Sequence, residues 1–245
     1  MSVVIIIQAR MGSTRLPGKI MKQVLGKTLL EYQLERLSRV TLADQVVVAT
    51  TSNDNDTPIV KLCTELGVAY YRGSEDDVLA RYYEAATQYN AQVVVRITSD
   101  CPLIDPLVVD QVIGYYLEHQ NNWDYVSNTF PQLTYPRGLD TEVFSYRALQ
   151  EAYHEAVDAS EREHVTIFIK RRPERYRIFN YTYQRDESMN RWTVDTPEDF
   201  ELIRRIVTEL YPKRPQFTLE DCLQLIESNP DWKLINAQIA QKLVK

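Results

Sequence analysis

The first unbroken hydrophobic stretch, Val3-Val4-Ile5-Ile6-Ile7, is short, β-branched and bounded by polar positions. Such a run predicts a strand covered on both faces, as in a parallel sheet. The texture returns at 45–50, 69–72 and 92–97, between segments whose apolar residues repeat at helical spacing. Those segments lie near 28–39, 57–66 and 76–89, and the first carries Leu30, Leu34 and Leu37 on one stripe. Strands alternating with amphipathic helices predict an α/β protein: a mostly parallel, Rossmann-like sheet flanked by helices, with right-handed crossovers. Pro106 is placed to open a further helix reaching about His119.

From Trp123 the pattern becomes aromatic and rich in turns. It predicts strands at 138–144 and 176–183 and helices at 146–156 and 161–170, which together read as a small inserted lobe over about 123–190. Residues 192–194 read as a short return strand to the main sheet. Pro197 then starts a helix running through Leu210 with Thr196 as its N-cap, and Thr218 caps another whose first turn holds Glu220 and Asp221. At 233–245, Leu234, Ile235, Ile239 and Leu243 are spaced either to pack a last helix on the body or on a partner subunit, or to leave an end that frays. No repeat or low-complexity linker interrupts the chain, so a single domain is expected across 1–245.

A length of 245 residues with 44% hydrophobic content allows a substantial core. The net charge of −6, with acids spread throughout, disfavours extended binding to a nucleic-acid backbone but permits a local basic pocket for one nucleotide. Cys63, Cys101 and Cys222 are odd in number and far apart, as in reduced cytoplasmic proteins, and they share no zinc-ligand spacing with His119, His154 or His164. The amino terminus shows no leader pattern, and its apolar run is too short to cross a bilayer, so a cytoplasmic protein without membrane insertion is expected. The aromatic middle region leaves a surface on which a homodimer could form.

The chemistry concentrates directly after the first strand, in Gln8-Ala9-Arg10-Met11-Gly12-Ser13-Thr14-Arg15-Leu16-Pro17-Gly18-Lys19. Three fixed cations surround a flexible turn at a strand's carboxyl end, where open α/β sheets bind ligands. Gly12 and Gly18 let the backbone approach an anion, an arginine can grip two phosphate oxygens, and Lys19 supplies a mobile point charge. Neither G-x-G-x-x-G nor G-x-x-x-x-G-K-[ST] occurs there, so a dinucleotide fingerprint and a Walker loop are set aside. Asp100 and Asp195 each follow a predicted strand, at exits that share one sheet edge. Taken singly, each is equally explained as a cap. Together they suit magnesium, which needs few protein carboxylates because waters and phosphate oxygens complete its shell.

The pattern Ala9-Arg10-x-x-Ser13-x-Arg15-Leu16-Pro17-x-Lys19, with Gly26-Lys27 and Leu29-Leu30, resembles the opening signature of sugar-acid cytidylyltransferases of the acylneuraminate and 3-deoxy-manno-octulosonate type. With Arg72-Gly73-Ser74-Glu75-Asp76-Asp77-Val78-Leu79, Thr98-Ser99-Asp100-Cys101-Pro102 and Val194-Asp195-Thr196-Pro197-Glu198-Asp199, the likeness narrows to the spore-coat polysaccharide biosynthesis protein F group and covers Val3 to about Leu210. The resemblance implies a GT-A-like nucleotidyltransferase fold. It implies that Ala9, Arg10, Gly12, Ser13, Arg15 and Lys19 bind the nucleotide, and that Asp100 and Asp195 hold Mg2+. Arg72 and Ser99 join the nucleotide-binding set, and Arg15, Lys19, Asp100 and Asp195 form the catalytic set. The octulosonate enzymes read V-Q-G-D-E-P where this chain has Ile97-Thr98-Ser99-Asp100-Cys101-Pro102, so cytosine specificity comes by analogy alone.

The expected reaction is transfer of CMP from CTP to a sugar acid or related sugar, releasing pyrophosphate, for cell-surface or spore-coat polysaccharide. A glycosyltransferase using a nucleotide sugar on the same scaffold is one alternative, and a non-catalytic nucleotide-binding scaffold is another. Tyr135, Arg137, Asp140 and Glu142 form the acceptor-binding candidate within the inserted lobe: Arg137 would hold a sugar carboxylate, and the acids would accept sugar hydroxyls. A hairpin turn leading into an alternating strand explains them equally well. Elsewhere a bland explanation suffices. Arg81 can pair with Asp77 on one helix face, Ser160 with Glu163 reads as a capping box that leaves His164 on the first turn, and Lys170-Arg171-Arg172 with Arg175 reads as a solvated basic turn.

Overall fold

Strand β1 (Val3–Gln8) is the centre of the molecule, with five of its six residues buried. The computed structural model describes residues 1–240. After β1 come the small antiparallel pair β2 (Gln23–Val24) and β3 (Lys27–Thr28), then α1 (Leu29–Leu37), β4 (Gln45–Thr51), α2 (Thr57–Leu66), β5 (Ala69–Gly73), α3 (Val78–Gln88), β6 (Val93–Thr98) and α4 (Pro106–Glu118). The second half supplies β7 (Tyr125–Ser127), β8 (Glu142–Ser145), α5 (Tyr146–Glu155), α6 (Ala159–Glu163), α7 (Ile167–Lys170), β9 (Ile178–Asn180), α8 (Pro197–Leu210) and α9 (Leu219–Ser228).

Among the described residues, seven strands form one sheet in the order β5-β4-β1-β6-β8-β7-β9. Neighbours pair in parallel except where β8 runs antiparallel to both β6 and β7. The predicted α/β class is therefore the observed one. Alternate residues of β1 feed opposite faces, as strand geometry requires. Val3, Ile5 and Ile7 pack with α1, α2 and α4, while Val4 and Ile6 pack with α3, α5 and α7. Each fully buried side chain of this kind stabilises the fold by about 1.5–3 kcal/mol. A third cluster joins α8 and α9 to Trp192, Val194 and Leu139.

Register sets the site. Gln8 lies opposite both Ala49 of β4 and Thr98 of β6, so β1 and β6 end level, β4 runs two residues further, and all three release their loops at one edge. Helix starts are fixed locally by capping boxes, Thr28 with Glu31, Thr196 with Asp199 and Thr218 with Asp221.

The second half departs from its sequence pattern in several places. The predicted inserted lobe contributes β7, β8 and β9 to the main sheet itself. The strand expected over 138–144 begins only at Glu142, because the Asn128 side chain occupies the backbone partners before it: its Nδ2 donates to Leu139 O at 2.8 Å and its Oδ1 accepts from Thr141 N at 2.8 Å. Residues 192–194 form no sheet strand. They are held by an Arg137–Arg191 bridge, by Trp192 N on Arg137 O at 2.7 Å and by Val194 N on Asp100 O at 2.9 Å. Gly138 permits this contact, since a Cβ there would meet the Trp192 backbone at 2.8 Å, and its φ of +105° also excludes most residues.

The helix expected over 161–170 is two short ones, broken at buried Val165 with φ of 38°. Asp158, not Ser160, caps the first of them. Of the segment 233–245, the described residues carry no helix beyond the end of a 3-10 turn at Pro230–Leu234; Ile235 packs on the third cluster, Leu234 is exposed, and 241–245, with Leu243, lie outside the described residues. Cys63, Cys101 and Cys222 are free and buried.

Candidate active site

The loop leaving β1 folds on the Met11 peptide. Ser13 N and Gly18 N both donate to Met11 O, at 2.9 and 3.1 Å. Gly18, with φ of 64°, turns the chain into the 3-10 turn Lys19–Met21, and buried Leu16 and Ile20 anchor the loop to the body. Ala9 is buried, its N–H donating to Ala49 O at 3.1 Å. Arg10 stays half-exposed, 3.7 Å from Glu75. Arg15 and Lys19 turn towards the second half of the chain. The loop is thus a preformed turn, with Arg10 directed to Glu75 and with Arg15 and Lys19 directed to Asp195.

Asp100 sits in the turn after β6, held from several directions. Ser99, also buried, donates its N–H to Gln8 O at 3.2 Å, and Val194 N binds Asp100 O, tying the two aspartate loops together. Fully buried Gln33 on α1 donates its Nε2 to Thr98 O at 2.8 Å and to Cys101 O at 3.1 Å, spanning the turn. Asp195 stands opposite. Its carboxylate meets Lys19 Nζ at 2.8 Å, Arg15 at 3.0 Å and Arg191 at 2.9 Å. Burial pushes the Asp195 carboxyl up, but Lys19, with Arg15 and Arg191, outweighs it and holds the group below the usual carboxylate range. Thr196 caps the following helix, which leaves Asp195 free of that duty.

Lys19 Nζ also lies 3.9 Å from Asp100 Oδ2, so one ammonium stands between two carboxylates that are 95 positions apart in sequence. The pair therefore surrounds a cationic centre. No third His, Cys, Asp or Glu completes a protein cage among the described residues. That donor set fits magnesium, which retains waters and phosphate oxygens, and suits poorly a metal needing a full protein shell.

The remaining candidates divide. Arg72 donates to Thr51 O at 3.0 Å and to Asn53 O at 2.9 Å, bracing the exit of β4. Arg81 is buried and donates to Ser74 O at 2.6 Å; Asp77 caps α3 and accepts from Arg162 Nε at 3.0 Å, so the expected pairing of Arg81 with Asp77 does not form. Tyr135 is buried in the third cluster, its ring 5.0 Å from that of Tyr183, a packing position. Glu142 is likewise buried, 2.8 Å from Arg96 and 3.4 Å from Lys170. Burial raises its carboxyl, yet Lys170 and Arg96 bring it down to about 2. Both side chains are enclosed by protein partners and not presented to solvent. An alternating strand hides such positions, because an inward charge with buried partners reads as an outward polar residue.

Arg137 and Asp140 remain as acceptor candidates. Arg137 bridges to the Arg191 segment through its backbone, and its half-exposed guanidinium forms no ion pair among the described residues. Burial, and less strongly Asp100, push the Asp140 carboxyl up to about 6 against the Gly138 N–H that it accepts at 3.1 Å. His164 ends α6 with its ring 4.0 Å from Glu163. The basic stretch after it is paired with acids: Arg171 to Asp158, Arg172 to Glu161 and Arg175 to Glu155, at 3.1, 2.7 and 2.6 Å. It is no free basic patch.

A family profile described as cytidylyltransferase matches residues 4–224. The chain belongs to the cytidylyltransferase family. It is 35% identical to a cytidylyltransferase of solved structure from Leptospira borgpetersenii, with a TM-score of 0.91 and 99% of each chain covered. An uncharacterized protein of Methanocaldococcus jannaschii is 38% identical over 99% of this chain and 97% of its own. The spore coat polysaccharide biosynthesis protein SpsF of Bacillus subtilis is 30% identical over 94% of this chain and 95% of its own.

Three supports of this cytidylyltransferase site escape a reading of its sequence. Arg191 fixes Asp195 and is itself gripped by fully buried Asp199, at 2.9 Å through Nε and 3.1 Å through Nη2. Asp199 also accepts from Asp195 N, Thr196 N and Asn236 Nδ2, at 3.0, 3.1 and 2.9 Å. Gln33 is the third, and in sequence it is one polar residue within a helix. Among the described residues, no helix is long and apolar enough to cross a membrane.

Proposed function

We propose that this cytidylyltransferase transfers CMP from CTP to a hydroxyl of a sugar acid in the cytoplasm, with release of pyrophosphate and with magnesium held by Asp100 and Asp195. The observation that carries the reading is the Lys19 ammonium between those two carboxylates, with Arg15 beside it. A bound magnesium ion would supply charge neutralisation at the α-phosphoryl oxygens. Arg10, Arg15 and the loop N–H at Gly12 bind the phosphates, while the Ser13 N–H stays on Met11 O. Lys19 moves its charge towards the departing pyrophosphate. Asp195 stays ionised throughout, because three cations surround it.

The acceptor enters from the Arg137 side. Arg137 holds its carboxylate in a charge-assisted pair, and Asp140 accepts the hydrogen bond of the attacking hydroxyl. The hydroxyl oxygen bonds to the α-phosphorus as the bond to pyrophosphate breaks, its proton passing to the Asp140 carboxylate, so rate comes from position and preorganised charge and needs no covalent nucleophile. The name of the Bacillus subtilis relative supports a place in surface polysaccharide synthesis.

The test is product analysis by phosphorus NMR with CTP, magnesium and a panel of sugar acids. Equal amounts of pyrophosphate and a CMP ester are expected. Release of a nucleoside diphosphate from a nucleotide sugar, with CTP left intact, would overturn the proposal.

A further inference from the structure

Asp56 lies in the 3-10 turn Asp54–Asp56 beyond β4, 2% exposed, and the chemistry proposed above does not use it. Four donors converge on its carboxylate. Met11 N donates to Oδ1 at 2.7 Å, while Thr50 Oγ1, Thr51 N and Thr51 Oγ1 donate to Oδ2. Three of these tie the turn to its own strand. The fourth reaches across 45 positions to the loop that carries the cations.

That reach matters because the Met11 peptide is the hub of the loop. Its carbonyl accepts from Ser13 N and Gly18 N, so its orientation sets the turn from which Arg15 and Lys19 project. A second connection runs from the same segment: Asn53 Nδ2 donates to Glu75 Oε2 at 3.1 Å, and Glu75 lies 3.7 Å from Arg10. Arg72 braces the segment from behind through Thr51 O and Asn53 O. Backbone of the loop and side chain of Arg10 are thus both referred to the segment after β4, the first through buried Asp56 and the second through exposed Asn53.

We infer that Asp56 is a positioning residue for nucleotide binding: by accepting the Met11 N–H it fixes the phosphate loop, and it touches no part of the nucleotide itself. The inference rests on the CTP reading above. A carboxylate is needed because two backbone N–H groups, those of Met11 and Thr51, face it from different sides, and neither can turn away as a hydroxyl can. A carboxamide must set its own N–H against one of them, and an unmade buried bond of this kind is costly.

The test compares Asp56→Ala and Asp56→Asn with Thr50→Val, which removes a donor on the strand side only. Calorimetric titration with CTP and magnesium, at a temperature where circular dichroism shows folded protein, reads the effect. Both Asp56 variants are expected to bind CTP about tenfold or more weakly, the loss of one charge-assisted hydrogen bond. Thr50→Val is expected to melt earlier with unchanged CTP affinity. Hydrogen exchange without nucleotide should show the Met11 amide protected in the native chain and released in the Asp56 variants. CTP affinity within twofold of native in the Asp56 variants overturns the inference, as does an unprotected native Met11 amide. Should Asp56→Ala fail to fold, Asp56→Asn decides. If the native protein itself binds no CTP while Met11 is protected, the nucleotide reading fails and the loop anchor stands.

Discussion

The Lys19 ammonium donates to the Asp195 carboxylate at 2.8 Å across 176 positions of sequence, and Asp100 stands 3.9 Å from the same nitrogen. Lys19 is the cation that Asp100 and Asp195 share, whereas, of these two carboxylates, Arg15 and Arg191 meet that of Asp195. Lys19→Ala is expected to lower kcat for pyrophosphate release by about 10²–10³-fold. It should also melt earlier than the native protein without magnesium, and recover more than the native protein when magnesium is added. Calorimetry with and without the metal measures this. An identical response to magnesium in both proteins would contradict the placement.

Glu142 predicts an acid limit to stability. Its carboxyl is lowered from 4.5 to about 2, so its contribution is complete above about pH 4.5 and is lost as pH falls towards 2. Glu142→Gln leaves Arg96 and Lys170, both largely covered, without their anion and is expected to lose about 3 kcal/mol at neutral pH. Denaturant titrations should show the difference from native shrinking between pH 4.5 and 2. A constant difference across that window would refute the ion-pair account.

Gln33→Leu removes two donors from the turn that carries Asp100. The variant is expected to lose about 1–3 kcal/mol of stability and to need more magnesium for half-maximal activity. Unchanged magnesium dependence would limit Gln33 to a packing role.

Arg137→Ala separates the two substrates. Loss of a charge-assisted pair to the sugar carboxylate should raise KM for the acceptor about 10- to 100-fold while KM for CTP stays level. An equal rise in both constants would move Arg137 out of the acceptor site.

Most of the site's framework was legible because strand exits are legible. Val3 to Ile7 and Val93 to Ile97 announce buried parallel strands, and chemistry placed directly after such runs falls on one sheet edge. Cap residues Thr196 and Thr218 marked helix starts for an equally local reason. What stays hidden has two causes. Gln33 acts on Thr98 and Cys101, 65 and 68 positions away, while Arg191 and Asp199, only eight apart, meet across an irregular segment that neither helical nor strand periodicity describes. The burial of Tyr135 and Glu142 is equally hidden, because a turn entering an alternating strand does not show which side is covered. The segment 192–194 was taken for a strand because three β-favouring residues cannot show whether a neighbour's edge is free.

The central claim is that this edge of the sheet is built for CTP with magnesium. The most direct measurement is a melting series of the native protein with CTP, ATP, GTP and UTP, each with and without magnesium. A ligand that binds only the folded state adds about 2.7 kcal/mol at a hundredfold excess over its Kd. The account predicts a rise with CTP that exceeds the other three, requires magnesium and disappears in Asp195→Ala. No shift with any nucleotide, or equal shifts unaffected by Asp195→Ala, would contradict it.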